Sequence, residues 1–112
     1  MRIEKAPIDE AVNVKGFASF PLYEGSTQAN DGIKMGYAVF GPGARVPKEG
    51  TASHPEDEFA YIISGGLKCC SGGVVYESKA GCSSFIPAGE EHFSINESDE
   101  PCTLIYMLAD KK

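Results

Sequence analysis

The sequence predicts an all-β domain folded as a double-stranded β-helix, a jelly-roll barrel. Three observations carry that expectation. Short apolar runs recur along the chain, each closed by Gly or Pro, and thirteen Gly and seven Pro in 112 residues are many for the length. The runs are rich in β-branched and aromatic residues, which fit a pleated, half-buried surface. No stretch carries a convincing helical period. About eight short strands joined by Gly/Pro turns is the make-up of a jelly roll.

Taken in order, residues 1–16 are weakly patterned, and Ile3, Ile8, Val12 and Val14 are placed to supply an edge strand. Residues 17–23 read as a short strand interrupted by Pro21, which has no N–H to donate. Residues 25–32 are polar and turn-rich, a loop. The segment 1–32 is thus expected to add edge strands to a core over about 33–108. Residues 33–40 make a better strand, and Gly41-Pro42-Gly43 is a firm turn. Arg45-Val46-Pro47 leads into a loop over 48–53. Residues 58–64 form a strong strand by content, and Gly65-Gly66 suits a tight hairpin because Gly tolerates positive φ. Residues 67–71 would return beside it, Gly72-Gly73 turns again, and 74–77 follow as a strand. Strands over 82–86 and 92–95 flank the turn Pro87-Ala88-Gly89. Residues 96–101 are an acidic loop, and 102–108 are the last and most apolar strand.

The length fits one domain over 1–112 that buries roughly two-thirds of its unfolded surface. The 42% apolar fraction is ordinary for a globular chain. A net charge of −6 and a pI near 4.8 argue against nucleic acid, whose phosphates need basic patches. No basic cluster exceeds the terminal Lys111-Lys112. The N-terminus lacks the apolar region of a secretory signal, and no run is long enough to span a membrane, so a cytoplasmic location is expected. Four cysteines agree with a reducing compartment. Cys69 and Cys70 are adjacent and would face opposite sides of a strand, whereas Cys82 and Cys102 sit in apolar strands as core fillers. A cysteine lining a pocket, as a metal donor or a reactive thiol, is the alternative.

The chemistry concentrates between the chain's two histidines, His54 and His92. Imidazole is the commonest protein ligand for transition metals. In an extended strand His54, Glu56 and Glu58 would project to one face, with Ala60 and Ile62 continuing inward behind them. A second segment bringing His92 opposite would complete two imidazoles and one or two carboxylates. Two histidines and a carboxylate with open positions form the facial triad of non-haem iron(II) sites, and zinc, manganese or nickel suit the same donors.

Gly81, five residues, Pro87-x-Gly89, two residues, His92, three residues and Asn96 resemble the second motif of the cupin family at every defining position. Glu58, six residues and Gly65 resemble the end of the first motif, with His54 three residues ahead of Glu58. That motif normally carries His-x-His, and here Ala52 stands at the earlier position, so one of four usual ligands is absent. The resemblance covers about residues 33–108. It implies a small single-domain cupin of the RmlC-like jelly-roll superfamily, with a metal site inside the barrel near one mouth. His54, Glu58 and His92 would hold one divalent ion (Fe, Mn, Ni or Zn), and Glu56 is the candidate replacement for the lost ligand. Ala52, Ala60, Ile62, Tyr37 and Tyr106 are the candidate pocket residues. Asn96 is expected to fix a turn through bonds to backbone.

The function these features imply is a metal-dependent act on a small oxygen-bearing molecule, of dioxygenase, isomerase, decarboxylase or lyase type. The alternative is a small-molecule-binding barrel without catalysis, with a weakened or absent metal site, which Ala52 favours. A homodimer is expected because Phe59, Tyr61 and Ile63 would point opposite to Glu58 and form an apolar outer face needing cover.

Overall fold

The computed structural model describes residues 1–110, so the lysine pair Lys111-Lys112, at the end of the expected 1–112 domain, lies outside the described residues. Among the described residues nine strands follow one short helix: α1 (Ile8–Ala11), β1 (Phe17–Gly25), β2 (Ile33–Phe40), β3 (Arg45–Val46), β4 (Asp57–Ser64), β5 (Gly66–Ser71), β6 (Val74–Lys79), β7 (Ser83–Ile86), β8 (His92–Ile95) and β9 (Cys102–Ala109). They form two antiparallel sheets, one of five strands in the order β1-β2-β9-β4-β7 and one of four in the order β3-β8-β5-β6. The double-stranded β-helix expected from the sequence is the fold observed.

Strand alternation decides what each face holds. On β4, Glu58, Ala60 and Ile62 turn into the space between the sheets, while Phe59, Tyr61 and Ile63 turn out and stay exposed. Across β9 and β2 the inner row continues from Ile62 through Leu104 to Ala38. These three pack with Phe40, Ala44, Leu67 and Cys102 into the inner core. Burying each large aliphatic or aromatic member contributes about 1.5–3 kcal/mol.

Three expectations are corrected. Residues 1–16 add no edge strand; they make the single turn of α1 instead. Pro7 opens that turn without needing a donor, and its carbonyl accepts from the Ala11 N–H at 2.9 Å. Ala11 is fully buried against Tyr37 and Val39, and Val14 packs on the same cluster, whereas Ile3, Ile8 and Val12 stay exposed. The N-terminal segment therefore covers the outer side of the β1–β2 end of the large sheet.

The second correction concerns Gly65-Gly66, which is a crossing between sheets and not a hairpin. β4 pairs with β7 and β9, while β5 pairs with β6 and β8. Gly65 has φ +76°, and a Cβ there would collide with the Pro101 carbonyl oxygen. The crossing thus needs glycine for conformation and for space. A two-residue hairpin does occur one strand later, where Gly72-Gly73 joins Ser71 to its partner Val74. Third, Arg45-Val46 is a short strand pairing with Ile95 and Ser94. Pro21 lies on edge strand β1, where the register shifts between Pro21 and Tyr23.

Candidate metal centre

His54, Glu58 and His92 come from three different local settings. Glu58 is the second residue of β4 and points inward by strand alternation. His92 opens β8, directly opposite Ser71 of β5. His54 lies in the bend before β4, where Pro55 and Glu56 are not extended. Backbone bonds tie these pieces together. The Gly89 N–H donates to the His54 carbonyl at 2.8 Å, and the Ala88 N–H donates to Asp57 Oδ1 at 2.9 Å. The turn Pro87-Ala88-Gly89 thereby clamps the two histidine segments to each other.

Among the described residues, one ligand atom from each of His54, Glu58 and His92 lies within 4.8 Å of the other two, and all three side chains are half-buried. The imidazole rings meet edge to face with centroids 5.1 Å apart. Each Nδ1 faces a backbone carbonyl: His54 that of Glu56 at 3.0 Å, His92 that of Glu90 at 2.9 Å. A carbonyl oxygen can only accept, so each Nδ1 carries the hydrogen and each Nε2 is left to the site. His54 Nε2 then lies 3.2 Å from Glu58 Oε1. Two lone-pair atoms at that separation repel unless a cation sits between them, either a proton on Nε2 or a metal ion. The donor set is that of a borderline transition ion, and the residues fit one.

The extended spacing that would have put Glu56 with Glu58 does not hold, because β4 begins only at Asp57. The Glu56 carboxylate lies 3.9 Å from His54 Nδ1, on the ring edge away from Glu58, and outside the ligand group. What Glu56 supplies is its carbonyl, which holds the His54 ring. Ala52 is bridged to His92 by two backbone bonds of 3.0 and 2.9 Å. Residues so paired send their side chains to one face. A histidine at position 52 would therefore reach the site; the alanine leaves that side open, and it does not line the cavity.

Glu58 and His92, though not His54, border a cavity of about 640 Å³ between the sheets. Ala60, Ile62 and Tyr106 line it as expected. Tyr37 does not. It sits on the opposite face of β2 from Ala38, fully covered with Ala11 and Val39 under the N-terminal segment. Tyr106 lies flat over Gly36, where any Cβ would overlap its ring, and its hydroxyl is 2.6 Å from Ser19 Oγ.

Cys69 lines the cavity, as the alternative reading of the cysteines allowed, and Ser71, Glu90 and Ser94, which were not foreseen, line it too. Ser71 Oγ donates to Glu90 Oε2 at 2.5 Å, and Ser94 Oγ donates to Cys69 Sγ at 3.2 Å. Both pairs depend on the β5–β8 register, which no local pattern announces. Burial pushes the Cys69 thiol up, opposed by the Ser94 hydroxyl and aided by the Glu58 charge. Cys102 fills the core as expected, and burial, then the neighbouring Cys69, pushes its thiol up to about 11. Cys82 is only half-buried and borders the cavity. All four cysteines are free.

The family model described as Cupin domain matches residues 36–108. No curated protein matches the sequence. Among solved structures, an uncharacterized conserved protein with a double-stranded β-helix domain from Klebsiella pneumoniae superposes with a TM-score of 0.75 at 20% identity, covering 99% of this chain and 93% of that one. A Cupin 2 conserved barrel domain protein from Salinispora arenicola gives 0.72 at 22%, covering 98% and 91%. An RmlC-like cupin from Shewanella frigidimarina gives 0.68 at 18%, covering 87% and 78%. At these identities the likeness is one of fold. No helix among the described residues is long and apolar enough to cross a membrane.

Proposed function

The chain belongs to the cupin domain family, and on that footing we propose that it binds one divalent transition metal (Fe, Mn, Ni or Zn) through His54, Glu58 and His92 and uses it on a small oxygen-bearing molecule held in the barrel. The observation that carries this reading is the convergence of His54, Glu58 and His92 while each imidazole Nδ1 is already engaged by a backbone carbonyl. When bound, the metal supplies a Lewis-acid or redox centre with positions open to substrate oxygen atoms.

The chain's own groups do the rest. The Glu56 and Glu90 carbonyls orient the two imidazoles, as outer partners of metal ligands do. The cavity is mainly apolar with polar groups along its wall, and its volume lies in the range of small-molecule pockets, roughly 300–1,000 Å³. Glu90, held by the Ser71 hydroxyl, places a second carboxylate at the cavity wall for proton transfer.

Calorimetric titration of Zn(II), Mn(II), Ni(II) and anaerobic Fe(II) into chelator-treated protein tests the reading. It predicts saturation at one ion per chain for at least one of these metals and at least a tenfold weaker affinity in His54→Ala. Absence of saturable uptake would refute it.

The outer face of β4 and β7 carries exposed Phe59, Tyr61, Ile63 and Phe85, with the Phe59 and Phe85 rings 5.0 Å apart. We read it as the surface through which two copies pair, with the cytoplasm as the compartment, in keeping with four reduced cysteines.

A further inference from the structure

The inward-facing residues of the large sheet lie in rows, and the rows change character with depth. The row of Glu58 and His92 holds charged and polar groups, Lys34 and Ser71 among them, beside Ile86 and Leu108. One step in, Ala60 stands beside Tyr106, opposite Cys69 and Ser94 on the other sheet. A further step in, Ile62, Leu104 and Ala38 meet Leu67 and form an apolar floor. Glu58 and Ile62 are four residues apart along β4, which places the floor about 13 Å from the ligand row at 3.3 Å per residue. The small side chain of Ala60 leaves room in the middle row, and all of these rows border the same cavity.

Charge follows the same gradient. Lys34 is the one cation among the described residues lining the cavity. It shares the row of Glu58 through Leu108 and is bound to Glu24 at 3.6 Å. No charged side chain stands in the floor row, and Ser78, paired with Leu67 at its edge, has its hydroxyl engaged with Cys69. Ile62, Leu67 and Leu104 cannot pair the hydroxyls of a ligand polar along its whole length, and burying those groups unpaired is costly. An apolar tail against the floor has no such cost and gains from leaving water.

We propose that the cavity takes an amphiphilic ligand. Its chelating oxygen atoms sit at His54, Glu58 and His92, and a slim apolar tail runs past Ala60 to the floor of Ile62, Leu67 and Leu104. The head's position rests on the metal reading above; the tail's rests on the rows themselves.

Straight-chain alkyl hydroxamates separate the two, because the head stays constant while the tail grows. Acetohydroxamate, butanohydroxamate, hexanohydroxamate and octanohydroxamate are titrated by calorimetry into Zn(II)-loaded protein whose zinc content is measured beforehand. Affinity should rise about fourfold for each buried CH₂ along the series. Ala60→Leu, which narrows the passage below the ligand row, should flatten that rise without changing zinc content. Zinc-bearing protein that binds every member equally, or binds none, would overturn the proposal while leaving the metal site standing. Protein that takes up no zinc and shows no binding overturns both. If Ala60→Leu does not fold, the wild-type series alone decides.

Discussion

Asn96 offers the most quantitative test of how the site's framework is held. Its side chain is fully buried at the end of β8 and makes four hydrogen bonds. Nδ2 donates to the Phe40 carbonyl at 2.9 Å and to the Glu100 carbonyl at 2.7 Å. Oδ1 accepts from the Ser98 N–H at 3.0 Å and from Ser98 Oγ at 2.8 Å. Asn96→Ala removes all four and strands at least the Phe40 carbonyl, on a residue that is itself buried. At about 1 kcal/mol per bond, the expected loss is about 3–5 kcal/mol. For a domain this size that lowers Tm by roughly 12–20 °C. Asn96→Asp keeps the shape but turns a carboxylate oxygen toward two carbonyls. The fold then favours the protonated acid, so the carboxyl pKa is raised in the folded state. Stability should therefore improve as pH falls through that folded value and worsen as pH rises above the ordinary carboxylate range. Urea unfolding of both variants, read by circular dichroism, gives the numbers. A loss below 1 kcal/mol for Asn96→Ala would refute the assignment of Asn96 as the clamp joining β2, β8 and the 96–101 loop.

Other expectations follow from the same geometry. Ala52→His places an imidazole beside His92 and should tighten metal binding at least tenfold in competition with a fluorescent chelator. Equal affinity would show that position 52 does not face the site. Cys102, with its thiol raised to about 11 by burial, should resist iodoacetamide at pH 7.5 in the folded protein and react after unfolding, as mass spectrometry can follow. By linkage, this thiol opposes folding at alkaline pH. The unfolded form, at the ordinary 9.0, releases its proton first, so stability should fall as pH rises from about 9 to 11. Tyr61→Lys on the outer face of β4 should give a monomer by light scattering where wild type gives a dimer; a monomeric wild type at micromolar concentration would sink the pairing surface.

Much of the fold was legible because period-two patterning survives wherever one face of a strand is buried. β2 and β8 were readable to the residue, and the alternation of Glu58, Ala60 and Ile62 with Phe59, Tyr61 and Ile63 is the one observed. Asn96 was readable as a turn clamp for a related reason, since amides at strand ends bond to nearby backbone. The misses share one cause, dependence on partners distant in sequence. Gly65-Gly66 looks like a hairpin locally and is a crossing because β4 finds β7 and β9 instead of β5. Tyr37 looks available to the pocket, yet alternation from Ala38 turns it to the far face, where α1 covers it. Glu56 was assigned to a strand that starts one residue later. Ser71, Glu90, Cys69 and Ser94 become neighbours only through the β5–β8 register.

The central claim is that His54, Glu58 and His92 hold a metal ion. Elemental analysis of protein purified without an affinity tag, beside a His92→Ala variant, tests it most directly. The account predicts about one transition ion per chain in wild type and loss of that ion in the variant. Equal metal content in the two proteins, or a wild type that is empty and takes up no Fe, Mn, Ni or Zn, would contradict it.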